Sequence, residues 1–336
     1  MKLRAKLAAI VSGLITVTAL TVVPAHANTA PKIGIAYEIG GRGDRSFNDA
    51  AAAGLDKAMK KFTFTVDAVV TDGTSADRDK RLRSLITKGC SPIIVVGSGY
   101  VSTVQDLAIE FPNTQFAILN DATIDALNVT SLVFADTQGA FLAGFSAAIV
   151  SKSGKVAMIA SPSQADLYQN GFAAGVLAAK KNVVPFVKYA AGSAILSTKQ
   201  AMDMGADVLY VTRVGSSSDV FDEIVARNIS KAKVKNYKTV GMISVEPDQF
   251  VTVTAATKKY LYATVVKRVD IAMYDVISKT VNNQQFLDVL DAKAGIYGHR
   301  YSINGGGISI TTFLPALISA TNQINSAAAL ALKIPN

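Results

Sequence analysis

The stretch Lys32–Asn48 reads KIGIAYEIGGRGDRSFN. It opens as an apolar run, Ile33-Gly34-Ile35-Ala36, of the length and type that makes a buried strand. It then breaks into a glycine-rich loop, Gly40-Gly41-Arg42-Gly43-Asp44, and closes on Ser46-Phe47-Asn48. An alanine-rich helical pattern follows from Asn48 to Lys60. Strand, loop and helix in that order form the first unit of an open α/β sheet, whose ligands sit in the crevice beyond the carboxyl ends of the strands. A loop there that carries an aromatic ring, an amide and a carboxylate suits a flat, polar small molecule. The competing reading is an ordinary first turn whose Phe47 packs inward.

Working outward, the same alternation repeats. Apolar runs predict strands at Lys32–Tyr37, Thr65–Val70, Ile93–Val96, Phe116–Asn120, Ser131–Phe134, Lys155–Ile159, Phe186–Tyr189, Val208–Thr212 and Lys238–Ile243. Helical spacing falls between them and again over Tyr262–Ile277. Regular strand–helix alternation argues for parallel sheets with helices on both faces. It occurs in two blocks, roughly 31–135 and 136–245, so the expected fold is α/β with two Rossmann-like lobes in series. The tail from Thr254 reads as one long helix and a short extended part, Gly298–Thr312. It is too short for a third domain and is expected to cross back and complete both lobes. The expected division is 28–135 plus about 254–298 for the first lobe and 136–253 plus about 299–336 for the second. A multi-strand hinge and an inter-lobe cleft follow, and such clefts are preferred ligand sites.

The chain starts Met1-Lys2-Leu3-Arg4-Ala5-Lys6, continues with an apolar run from Leu7 to Val23 and ends that segment in Pro24-Ala25-His26-Ala27. This is the layout of a secretory signal peptide, residues 1–27, cut after Ala27. No later run has the roughly 18 uninterrupted apolar residues of a spanning helix. The formal charge is +9; Lys2, Arg4 and Lys6 account for three of it, leaving +6. The basic residues are dispersed, as in Lys57-Lys60-Lys61 and Lys231-Lys233-Lys235, and are not interleaved with aromatics, which argues against nucleic acid as a partner. Cys90 is the single cysteine, so no intrachain disulfide is possible, and its place before Pro92-Ile93-Ile94-Val95-Val96 reads as a buried thiol.

No catalytic constellation appears. His299 is the one histidine after the leader, which leaves histidine-based triads and metal sites poorly supplied. None of the H-E-x-x-H, C-x-x-C, G-x-x-x-x-G-K-[ST] or G-x-S-x-G patterns occurs. The expectation is a non-enzymatic protein without cofactor or metal. Arg42-Gly43-Asp44 matches an adhesion tripeptide, and Asn128-Val129-Thr130 and Asn228-Ile229-Ser230 match glycosylation sequons; all three read as coincidences.

Five pieces in order carry a resemblance: Gly43-Asp44-Arg45-Ser46-Phe47-Asn48; Phe111–Asn120; Asn128–Gly144 with Phe141-Leu142-Ala143-Gly144; Tyr168–Gly175; and Glu246-Pro247-Asp248-Gln249 followed by Val266–Asp270. Over about residues 31–310 the chain resembles the basic membrane protein family of ABC-transporter solute-binding proteins, whose best-known members are purine nucleoside receptors. The resemblance implies a periplasmic-binding-protein type I fold, a nucleoside held between Phe47 and Tyr168, and a closed form that docks on an ABC permease as a monomer. It implies that Glu246, one methylene longer than the family's usual Asp, and Lys267 meet the ribose, with Asp44 and Asn48 near the same end. Without it, Tyr168 reads as a helix-surface aromatic and Lys267 as an exposed helical charge.

The departures matter. The family reads the base edge with a carboxylate after the Phe116–Leu119 strand, where this chain has Asn120 followed by Asp121. An amide both donates and accepts, so Asn120 implies a shift from guanosine towards adenine-like edges; Asp121 in the same role would cancel that shift. In the glycine-rich loop Gly215 remains, but Arg213 and Ser216-Ser217-Ser218 surround it. Residue 28 is Asn, not the lipid-bearing cysteine usual in relatives from single-membrane bacteria. The rival readings are the same fold holding a sugar or autoinducer, for transport or signalling, and an exported nucleoside-processing enzyme.

Overall fold

A computed structural model describes residues 30–160, 165–179, 181–189, 193–212, 217–245 and 253–334. The leader, Gly215 and Glu246 lie outside the described residues.

The first sheet begins as the sequence predicts. β1 (Lys32–Tyr37) leads through the glycine-rich loop into α1 (Phe47–Met59). β2 (Thr65–Val70), α2 (Ser75–Thr87), β3 (Ile93–Val96), α3 (Val101–Glu110), β4 (Phe116–Leu119) and β5 (Val129–Phe134) follow. β3 is Ile-Ile-Val-Val and β4 is Phe-Ala-Ile-Leu, both buried along their whole length. Continuous apolar strands of this kind belong at the centre of a parallel sheet covered on both faces.

After β5 the chain enters the second lobe. α4 (Asp136–Val150), β6 (Lys155–Ala160), α5 (Ala165–Ala178), β7 (Val184–Tyr189), α6 (Ala194–Asp203), β8 (Val208–Val211), α7 (Ser218–Lys231) and β9 (Gly241–Val245) build it. Then come a single helical turn, α8 (Ala255–Lys258), β10 (Leu261–Lys267), α9 (Val269–Val281), β11 (Asp288–Asp291), β12 (Ile296–Tyr301), β13 (Ile308–Thr312), α10 (Pro315–Ser319) and α11 (Thr321–Ala331). The first sheet has the order β11-β12-β5-β4-β3-β1-β2 and the second β13-β10-β9-β8-β6-β7. Pairing is parallel except for β11 on β12 and β13 on β10.

The tail departs from expectation. The helix predicted over Tyr262–Ile277 is a strand followed by a helix: β10 pairs with β9 on one side and β13 on the other. Its core, Thr264-Val265-Val266, is β-branched, and short apolar runs satisfy both periodicities until a partner strand decides. The crossing back therefore comes after Lys267 rather than near 254, because β10 belongs to the second sheet. β12 stays in the first sheet through Tyr301, three residues past the expected boundary. The two terminal helices, α10 and α11, were not expected.

The chain thus passes between the sheets three times, at 135–136, 267–269 and 302–307. α4 packs on the second sheet, and α9 returns to pack on α1. The crossings are tied together: Ala135 N–H donates to Tyr301 O at 2.8 Å, and Arg268 N–H to Gly307 O at 3.0 Å. One core cluster runs through both lobes, from Ile33 and Leu119 to Met158 and Tyr210, with a separate cluster on the outer face of each sheet.

α4 and α5 pack backbone against backbone. A Cβ on Gly144 would stand 2.1 Å from Phe172 O, one on Gly171 2.1 Å from Thr137 O and one on Gly175 2.0 Å from Phe141 O. Two of the five pieces that carry the resemblance, around Phe141–Gly144 and Asn170–Gly175, contribute to this contact.

Candidate ligand-binding site

The carboxyl edge of the first sheet is furnished by the segments after β1, β3, β4 and β5. After β1, Asp44 and Asn48 serve the loop itself. Asp44 Oδ1 accepts from Ser46 N–H at 2.8 Å and Asp49 N–H at 3.1 Å, while Oδ2 accepts from Asn48 N–H at 3.0 Å. This caps α1 with negative charge at its amino end. Buried Asn48 accepts from Glu38 N–H at 3.1 Å and donates to Glu38 O and Ile39 O, each at 3.3 Å. Arg42 is paired with Asp56. The tripeptide Arg42-Gly43-Asp44 is therefore built into the loop. Phe47 opens α1, half-buried against the shared core.

Beside it stands a pair that the sequence reading missed. Arg78 Nη2 donates to Glu38 Oε2 at 2.8 Å, and the guanidinium lies 5.4 Å from the Tyr100 ring centroid. Tyr100, wholly buried, donates its hydroxyl to Tyr37 O at 2.9 Å. Burial raises its pKa above the ordinary phenol value, so the hydroxyl stays a neutral donor.

After β4, Asn120 takes a left-handed conformation, φ 69°, which asparagine tolerates better than most residues. Its N–H still donates to Leu132 O at 2.7 Å, which extends the ladder and fixes the side chain at the sheet edge. Asp121 turns to its own chain: Oδ1 accepts from Thr123 N–H at 2.8 Å and Thr123 Oγ1–H at 2.6 Å.

The two lobes meet at Lys267, the last residue of β10. It is 2% exposed. Its Nζ lies 2.9 Å from Asp136 Oδ1, donates to the Tyr168 hydroxyl at 2.9 Å and to Asn120 Oδ1 at 3.2 Å. Asn120 comes from the first sheet, Asp136 opens α4 at the first crossing and Tyr168 lies on α5 of the second lobe. The ammonium also sits 5.6 Å from the Tyr168 ring centroid and 6.0 Å from that of Phe134. Tyr168, 3% exposed, is 6.4 Å from the Tyr210 ring, which stacks on Phe172 at 5.7 Å.

Tyr168 is therefore no helix-surface aromatic, and Lys267 is neither helical nor exposed. The structure brings Asn120, Tyr168 and Lys267 into one cluster. Asp44, Phe47 and Asn48 share the loop after β1. Asp136 is the residue that sequence reasoning missed at the hinge. Its signal was a lone carboxylate between the apolar β5 run and the start of a helix, where negative charge is favoured.

A cavity of about 510 Å³ lies elsewhere, lined by Pro92, Phe116, Val129 and Leu287 at the amino ends of β4 and β5. That is the end of the sheet opposite the crevice. Both sequons are occupied by structure: Asn128 Nδ2 donates to Ala108 O, Phe111 O and Thr114 O, and buried Asn228 is bonded to Val240.

Comparison with known proteins agrees with this architecture. Among solved structures, a transcriptional activator of the comK gene from Bacillus halodurans superposes with a TM-score of 0.69 at 19% identity, over 90% of this chain and 98% of that one. An ABC transporter solute-binding protein from Aeropyrum pernix gives 0.63 at 19% identity, over 90% and 85%. These likenesses show the fold, which is the periplasmic-binding-protein type I architecture. In sequence, the CD4+ T-cell-stimulating antigen of Listeria innocua is 30% identical over 74% of this chain and 73% of its own length. The ABC transporter nucleoside-binding protein BmpA of Lactococcus lactis is 25% identical over 89% and 85%. The model of the PnrA-like ABC transporter substrate-binding protein family matches residues 31–325. The chain belongs to that family.

Proposed function

We propose that this protein is exported and captures a nucleoside, a purine nucleoside first, between its lobes for delivery to an ABC permease. The observation that carries this reading is the Lys267 cluster. One ammonium holds Asn120 of the first lobe, Asp136 of the crossing and Tyr168 of the second lobe within 3.2 Å. Phe47 stands at the carboxyl edge of the first sheet, where crevice ligands sit. A base lodged there would be flanked by rings from opposite lobes, each stack being worth about 1–3 kcal/mol. A ligand touching both lobes favours the closed state by its differential affinity for it. The name of the Lactococcus relative supports the same ligand class.

In this reading Asp44 and Asn48 act by holding the loop that carries Phe47. Asp121 and Gly215 are further ligand-binding residues, and Glu246 meets the ribose. The protein works as a monomer without cofactor and releases its ligand chemically unchanged. Residues 1–27 are removed on export.

Calorimetric titration of the mature protein with adenosine, guanosine, inosine, cytidine and ribose tests this. Saturable binding of purine nucleosides with ribose silent, and recovery of the same nucleoside afterwards, is the expected result. Silence across the panel in folded, ligand-free protein overturns it in favour of another solute. Recovery of free base and sugar overturns it in favour of an enzyme.

A further inference from the structure

The orientation of Asn120 has a chemical consequence. An ammonium has N–H donors and no lone pair, so the atom of an amide that faces it must be the carbonyl oxygen. Lys267 Nζ at 3.2 Å therefore fixes which way the Asn120 amide points. Asp136, 2.9 Å from the same Nζ on another side, anchors the ammonium there. The backbone of Asn120 is fixed as well, by its φ of 69° and the bond to Leu132 O. Its Nδ2 makes no hydrogen bond to the described residues, and the residue is half-buried at the sheet's carboxyl edge.

We infer that Asn120 presents its N–H₂ group to the ligand, and that Lys267 is the positioning residue that imposes this polarity. The ligand edge that meets Asn120 is then a hydrogen-bond acceptor. A carboxylate at this position would demand the opposite, a donor edge. The neighbouring ammonium strengthens the preference, because it repels any N–H brought towards the amide oxygen. The inference rests on the nucleoside reading and specifies the base within it. Adenine offers a ring nitrogen acceptor at N1. Guanine offers N–H donors at N1 and N2. The amino group of adenine is not required, so purine riboside, whose base has ring-nitrogen acceptors and no N–H, meets the same demand.

The test is calorimetric titration with adenosine, purine riboside and guanosine of three proteins: wild type, Asn120→Asp and Lys267→Met. In wild type, adenosine and purine riboside are expected to bind alike, each at least about tenfold more tightly than guanosine, since an unmatched donor leaves buried groups unpaired. Asn120→Asp reverses the order, because a carboxylate has no donor to offer. Lys267→Met releases the amide to rotate, so the ratio of purine riboside to guanosine affinity falls towards unity even as all affinities weaken. A purely structural role for Lys267 would lower affinity and leave that ratio alone. Wild type binding guanosine as tightly as purine riboside overturns the inference while leaving the nucleoside reading intact. So does an unchanged order in Asn120→Asp, which decides the matter alone should Lys267→Met fail to fold. Silence towards every nucleoside in folded wild type overturns both.

Discussion

The loop after β1 and the hinge at Lys267 are both rich in polar side chains, yet they are wired in opposite ways. In the loop the bonds of Asp44 and Asn48 are local. Asp44 binds N–H groups two to five residues ahead, and Asn48 reaches back ten residues at most. At the hinge the bonds span the chain: Lys267 meets Asn120 and Tyr168, 147 and 99 residues away. The loop folds itself and then offers Phe47. The hinge exists only when both lobes are assembled, so its polar contacts report on the whole architecture.

That difference sets the largest expected effect. Asp136→Ala removes the carboxylate that stands 2.9 Å from the buried Lys267 ammonium. Breaking a buried pair from one side typically costs about 3–5 kcal/mol. Urea unfolding of the variant should show a midpoint lowered accordingly. A loss below about 1 kcal/mol, the range of surface ion pairs, would mean that Lys267 relaxes to other oxygens and that the hinge is no more demanding than the loop.

Phe47→Ala probes the other region. The ring is half-buried at the start of α1, so its removal should weaken nucleoside binding by at least about tenfold, within the range of a base–aromatic stack. Thermal unfolding should stay cooperative. Unchanged affinity would make Phe47 a packing residue, the competing reading of the loop. Asp44→Ala should act differently. It deletes the cap and costs about 1 kcal/mol of stability, measurable by urea titration. Nucleoside affinity should then fall only as far as the loop loosens. A loss of affinity larger than that of Phe47→Ala would place the carboxylate itself on the ligand.

The same contrast explains what the sequence could and could not reveal. The βα units were legible because each is specified locally: β1, β3 and β4 are uninterrupted apolar runs and α1 carries its own cap. Strand β10 was not, because Thr264-Val265-Val266 becomes a strand through β9 and β13, which lie on either side of it in space. The crossing points shifted for the same reason. At the site, Asn120, Tyr168 and Lys267 came from a resemblance between whole chains. Nothing in the local spacing of Lys267 announces burial; a lysine ending an apolar run looks like a surface charge. Asp136 and the Glu38–Arg78 pair escaped notice because carboxylates and guanidinia are common and their partners lie far off in sequence. Conversely, the conspicuous Arg42-Gly43-Asp44 and both sequons were real patterns whose side chains are committed to the fold.

A second long-range contact beside the hinge sharpens the comparison by its sign. Tyr301, at the end of β12 and 5.6 Å from the Phe134 ring, donates its hydroxyl to Asp275 Oδ2 of α9 at 3.3 Å. Burial raises the pKa of Asp275 above the usual carboxylate value, and the opposing pull of Tyr301, His299, Lys279 and Lys57 does not offset it. A carboxyl group whose pKa is higher folded than unfolded binds its proton better in the folded state. Its contribution to stability is complete below the unfolded value and is lost as pH rises through the folded one. At neutral pH the Asp275 carboxylate is thus a liability, where the Asp136 carboxylate is a necessity. Asp275→Asn keeps an acceptor for Tyr301 and removes the buried charge, so it should raise the melting temperature at pH 7. The gain should shrink as pH falls through the raised value and vanish below the ordinary aspartate range. Melting curves of the variant and wild type across that range measure it. A variant less stable than wild type at pH 7 would mean that the Tyr301 hydroxyl needs the charge, and that both sides of the hinge depend on ionised carboxylates.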